Sequence, residues 1–194
     1  MFVSHQREKL INAVLFFTKF TKHCHKLKLF KLLCFLDFEH YRQTGYPSIG
    51  LEYLAWPMGP VPVDFDNELD NPGADLLAAV RLTPRKDRDS GALVRLDIAP
   101  KRNFDPRFFS KRELRLMREL MLYWNDARGE DMTEVSHLRG LPWAVVYRNG
   151  LGKGQRIPYN LALGSQAITD GATIDADELA YRHDALHEIF DTPV

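Results

Sequence analysis

Lys26-Leu27-Lys28-Leu29-Phe30-Lys31-Leu32-Leu33-Cys34-Phe35-Leu36-Asp37-Phe38 is the stretch that decides the fold. It lies in a helical run from about Lys26 to Gln43, and Gly45 is its stop signal. Leu29, Leu32, Leu33, Phe35, Leu36 and Phe38 leave this helix little polar surface. A helix apolar almost all round belongs at the centre of a core, because every face must leave water. The exceptions are Lys28, Lys31 and Asp37. A buried, unpaired ammonium group is costly. Three arrangements therefore stay open for the lysines. They snorkel to the rim, they pair with Asp37 or the acidic stretch 64–70, or they line a groove that receives an acidic partner.

The pattern changes on either side. Upstream, Leu10, Val14 and Phe17 repeat at helical spacing, and Ile11, Leu15, Phe16 and Phe20 widen that stripe. Downstream, Glu52-Tyr53-Leu54-Ala55-Trp56 reads as a short extended stretch. Pro57, Gly59, Pro60 and Pro62 then predict a rigid loop, with Trp56, Met58 and Val61 available to pack it down. An acidic helix over about 63–71 follows, ended by Asn71-Pro72-Gly73. Residues 76–100 look β-like, a hairpin with its charged tip at Pro84 to Gly91. Ser110-Lys111-Arg112-Glu113 is a capping box, opening an amphipathic helix in which Leu116, Leu120 and Tyr123 share a face and which ends near Gly129. Further boxes at Asp131–Glu134 and Asp175–Glu178 start a short helix through His137 and a last helix to about Phe190.

The expected class is α+β. It is a predominantly helical single domain around the central apolar helix, with a small antiparallel hairpin or sheet. The expected division is a domain over 1–158 and an extension over 159–194 whose acidic helix packs on it.

Composition narrows the function. The apolar share of 45% and the charged share of 27% are those of a soluble globular protein. No segment reaches the roughly 20 apolar residues of a bilayer span, and the start lacks the order of a signal peptide. Cys24 and Cys34 make no disulfide framework and read as reduced thiols, so the expected compartment is the cytoplasm. The formal net charge is zero, which argues against generic phosphate-backbone binding. The zero conceals blocks. Residues 1–44 are basic, 45–80 carry six acids and no base, 81–128 are basic, and 159–194 carry seven acids and one base. These blocks either neutralise one another across the fold or leave one facing a partner.

No catalytic, metal or cofactor set emerges. His183 and His187 share a helix face but lack the third ligand and the HExxH order. In His23-Cys24-His25 adjacent side chains point apart. Gly150-Leu151-Gly152-Lys153-Gly154 lacks the phosphate-loop frame and reads as a turn between packed elements. Trp143 behind Pro142 reads as a core plug at a helix start. Ser136 and His137 have no acidic third member nearby in sequence. Two rivals to a binding role remain. One is a hydrolase-like enzyme using His137. The other is a nucleic-acid binder using Arg81, Arg85, Lys86, Arg88, Lys101 and Arg102 of the basic 81–128 block.

Three of these pieces, in this order, resemble a known family. Lys28-Leu29-Phe30-Lys31-Leu32-Leu33 is similar to the KLxKLL helix of the Panacea domain, also called the SocA-like antitoxin domain. Ala55-Trp56-Pro57-Met58-Gly59-Pro60-Val61 resembles its AWxxGPV loop, and Ser136-His137 with Pro142-Trp143 resembles its SHxxxPW region. Cys34 stands where an aromatic residue is expected, and no acid stands between His137 and Pro142. The resemblance implies an antitoxin encoded beside a toxin gene in bacteria or their phages. The partner would be a cognate protein toxin, with a protease or chaperone as a further partner and no membrane. Lys28, Lys31, Trp56, Met58, Gly59 and Pro60 are the expected partner-binding residues. Leu29, Leu32, Leu33, Val61, Ser136, His137, Pro142 and Trp143 are expected to be structural.

Overall fold

The computed structural model describes residues 5–129, 132 and 141–163. Ser136, His137, His183, His187 and the two capping boxes at Asp131 and Asp175 lie outside the described residues.

Two helices make the core. Helix α1 spans His5–Phe20 and buries every residue from Leu10 to Phe17. Helix α2 spans Lys26–Thr44 and buries every residue from Lys28 to Glu39. The expected central helix is therefore observed, and its expected stop as well. Gly45 takes the left-handed conformation (φ 78°), and its N–H donates to the Tyr41 carbonyl at 2.7 Å. Helix α5, Lys111–Trp124, packs against α2. Its capping box is formed in both directions: Ser110 N–H donates to Glu113 Oε2 at 2.7 Å, and Glu113 N–H donates to Ser110 Oγ at 3.3 Å. This helix ends at Trp124, earlier than Gly129.

The expected proline loop is in fact a tight hairpin. Strand β1, Tyr53–Trp56, pairs antiparallel with β2, Gly59–Pro62. Prolines survive in β2 because of the register. Ala55 N–H donates to the Gln155 carbonyl and its own carbonyl accepts from Gly154 N–H, while the Tyr53 carbonyl accepts from Ile157 N–H. These β1 residues turn their polar groups away from β2. Their partners Pro60 and Pro62 are thus never asked for the donor they lack. Strand β1 is held on both edges, by β2 and by the 154–157 segment.

Helix α3, Val63–Asp70, matches the expected acidic helix. Helix α4, Ala74–Ala79, corrects the β reading of 76–79. Asp75 Oδ1 accepts from Leu76 N–H at 2.8 Å, and alanine and leucine then favour helix over strand. The hairpin that follows is as expected, β3 at Val80–Lys86 and β4 at Leu93–Pro100. Helix α6, Pro142–Tyr147, starts on Pro142 and buries Trp143, the expected plug. The packed chain continues beyond 158. Tyr159 sits between Phe38 and Tyr41, and its hydroxyl donates to the Leu51 carbonyl.

Among the described residues, four of the six acids of the 45–80 block meet basic side chains from elsewhere in the chain. Arg7 clamps Glu68 and Asp75, Lys26 meets Asp66, Arg102 meets Glu8 at 2.7 Å, and Arg156 meets Glu52 at 3.3 Å. Such partly exposed pairs add little stability singly. All but Arg102–Glu8 join the acidic 45–80 block to basic side chains outside it, and Arg102–Glu8 ties α1 to the chain after β4.

Candidate partner-binding groove

Three polar residues of α2 set the geometry around it. Lys28 is fully buried, and its ammonium donates to the carbonyls of Lys22 (2.7 Å), Asn125 (3.0 Å) and Ala127 (2.7 Å). Lys31 is equally buried and donates to the Gly129 carbonyl at 2.7 Å. Neither lysine snorkels, meets Asp37 or faces an open groove. The α1–α2 loop and the chain after α5 present carbonyls at their ends, and the lysines satisfy them from within the core. Where the sequence left a partner open for Lys28 and Lys31, the structure gives both to the chain's own backbone.

Asp37 performs the complementary task. Its carboxylate accepts from the N–H groups of Ile49 (2.5 Å), Gly50 (3.1 Å) and Leu51 (3.2 Å), and from the hydroxyls of Tyr53 (3.0 Å) and Tyr159 (3.2 Å). Burial pushes this carboxyl above its ordinary value, while the backbone donors and Tyr53 pull the other way. Burial likewise raises the Cys34 thiol and the Tyr53 phenol, with the Asp37 charge adding to both. The Cys24 thiol is raised by burial to about 11, so it is a poor nucleophile at neutral pH. Asp37 therefore ties the end of α2 to the turn after it, to β1 and to Tyr159.

Between these anchors the β1–β2 hairpin distributes its residues in three directions. Pro60 lines a small apolar cleft of about 20 Å³ with Cys34, Phe38, Leu141 and Trp143. Cys34 is smaller than the aromatic residue expected there, and the cleft opens beside it. Trp56 faces outward under Lys153, whose Nζ lies 5.4 Å from the ring. The Trp56 carbonyl accepts from Trp143 Nε1 at 3.0 Å. Gly59, at φ 121°, makes the turn possible.

Met58 and Val61 face a groove of about 690 Å³. Its floor comes from the start of α2, with Lys26, Leu27 and Phe30. Its far wall is the first half of β4, Leu93 to Leu96. His23, His25, Asp66 and Arg128 complete the rim. A groove therefore lies beside the proline hairpin, and of the expected partner-binding residues only Met58 lines it. Its cations are Lys26, Arg95 and Arg128, in place of Lys28 and Lys31. Leu93 and Val94 were not expected there. The available signal was Leu93 itself, an aliphatic residue in register with Arg95 and Asp97 on the charged face of its strand.

The rival sites fare differently. Of the six bases expected to meet phosphates, Arg85 pairs with Asp97 at 2.8 Å, Arg102 pairs with Glu8, and Lys101 donates to the Leu77 carbonyl at 2.6 Å. Half of that set is therefore engaged within the protein. His137, the residue of the hydrolase reading, lies outside the described residues. Among the described residues no cluster of His, Cys, Asp and Glu could hold a metal, and no helix is long and apolar enough to cross a membrane.

The family model described as "Antitoxin SocA-like, Panacea domain" matches residues 29–144. The chain belongs to this family. No curated protein and no solved structure matches it significantly. The Panacea match begins inside α2 and ends inside α6, so it takes in Lys31, Asp37, the proline hairpin, the β3–β4 hairpin and Trp143. It leaves out Tyr159, which completes the Asp37 site from beyond the matched stretch.

Proposed function

We propose that this chain is the antitoxin of a bacterial or phage toxin–antitoxin pair, acting in the cytoplasm by direct binding to a cognate protein toxin. The observation that carries this reading is the Panacea match over 29–144. The groove walled by Met58, Val61 and the start of β4 supports it, because it sets aliphatic and aromatic side chains beside Arg95 and next to the family's proline hairpin. Trp56, Met58, Gly59 and Pro60 serve this contact by shaping or presenting the hairpin tip, and Lys28 and Lys31 serve it only by holding the surrounding backbone. Masking of the toxin and hand-over to a protease both begin with the same contact. Cys24 and Cys34 are free thiols, which suits a reducing compartment.

Co-expression with the product of the adjacent gene tests this. The expected outcome is restored growth and a complex that survives size-exclusion chromatography. A chain that neither restores growth nor co-purifies with that product overturns the reading.

A further inference from the structure

Four consecutive residues of β4, Leu93, Val94, Arg95 and Leu96, line the groove. A regular strand sends successive side chains to opposite faces, so this is unusual. The pairing explains it. Arg85 faces Arg95 and Lys86 faces Leu93, which leaves Val94 without a counterpart on β3. This bulge breaks the alternation and turns neighbouring side chains toward one side. Leu93 is 57% exposed and Val94 70%. Aliphatic residues this open on a strand are a liability unless something covers them.

The rim and the strand edges narrow what covers them. Arg95 and Arg85 share a single carboxylate, Asp97, at 2.7 and 2.8 Å. One acid serves two guanidinium groups, so a positive charge remains at this wall. Neither strand that borders the groove offers an edge suited to an added strand. The outer side of β2 lacks donors at Pro60 and Pro62, and β4 is bulged at Val94 and bridged to His25 at Asp97. Recognition must therefore run through side chains, as in a helix laid in a groove.

We infer that the groove receives an acidic amphipathic helix of the toxin, which inserts aliphatic side chains between Met58 and Leu93–Val94 and sets carboxylates against Arg95. This rests on the antitoxin reading. It adds the place of contact and the chemistry of the partner's segment.

Calorimetric titration of the full chain with the purified product of the adjacent gene tests it. Val94→Asp and Arg95→Glu lie on exposed side chains, and unchanged thermal unfolding certifies their fold. Each is expected to weaken binding by about tenfold or more. Arg88→Glu, a basic residue of the hairpin tip outside the groove, is expected to leave the affinity within about twofold. Wild-type affinity in both Val94→Asp and Arg95→Glu overturns the inference while leaving the antitoxin reading intact. Absence of binding by the unsubstituted chain overturns the antitoxin reading, and this inference with it. A synthetic peptide of residues 170–191, the acidic end of this chain, is the competing occupant. If it binds the full chain and Val94→Asp abolishes that binding, the groove belongs to the chain's own C-terminal segment and the inference is overturned.

Discussion

The two hairpins of this protein use the same β geometry to opposite ends. The β1–β2 hairpin is short and clamped. Tyr53 and Ala55 are buried, the 154–157 segment pairs with β1, and Asp37 and Trp143 bond to it from two sides. The β3–β4 hairpin is longer and stands clear of the core over its outer half. Only Val80, Leu96 and Ile98 of its strands are buried, and it carries the bulge at Val94. The first is rigidly placed and the second leaves an aliphatic surface open, and the groove lies where Met58 of one faces Leu93 and Val94 of the other. A wall of this kind can stay exposed because the scaffold beside it is over-determined.

The largest way to break this contrast is Asp37→Ala. It leaves three backbone N–H groups and the Tyr53 hydroxyl without their shared acceptor, while Tyr159 keeps its bond to the Leu51 carbonyl. The expected cost is about 3–5 kcal/mol in urea unfolding. A loss under about 1 kcal/mol would show that the clamp is not what holds the first hairpin. Gly152→Ala comes next. A Cβ at this position would lie 1.9 Å from the Val146 carbonyl oxygen, so the turn that delivers 154–157 to β1 must shift. About 1–3 kcal/mol of destabilisation is expected by the same measurement.

The smallest effect sharpens the contrast through pH. The clamp around Asp37 uses neutral donors, whereas α1 is fastened by ion pairs. Arg7 holds the Asp75 carboxyl down to about 2. Burial pushes the Glu113 carboxyl up, but Lys9, Ser48 and both the N–H and the hydroxyl of Ser110 outweigh it and keep it below its ordinary value. Both groups bind protons less readily folded than unfolded, so their contribution is full above the ordinary carboxylate range and fades as pH falls toward 2. Thermal unfolding followed from pH 5 downward should show this loss, and Glu113→Gln should flatten part of it. An unchanged slope in that variant would remove Glu113 from the account.

The sequence made much of this legible where local chemistry is strong. The apolar run of α2, the αL stop at Gly45, the Ser110 capping box and the β3–β4 hairpin each announce themselves over a few residues. Trp143 at a proline-started helix is the same kind of signal. What stayed hidden depends on pairs far apart in the chain. Pro60 and Pro62 read as a loop, because nothing local says that β1 aims its polar groups at residues 154–157. Lys28 and Lys31 read as candidates for a partner, because the carbonyls that receive them lie at Lys22 and at 125–129. Leu93 and Val94 carry no local mark of their shared placement, because a bulge is a property of two strands together.

The sequence by itself thus determined a helical core with a small β component and a Panacea-type proline segment, since hydrophobic period and turn chemistry act between near neighbours. Only the tertiary structure decided that the lysines hold the core's own backbone, that Asp37 joins five donors, and that an aliphatic wall with an arginine beside it faces Met58. Burial and hydrogen-bond satisfaction belong to residues brought together from distant parts of the chain, and that closing of distance is what a single sequence does not display.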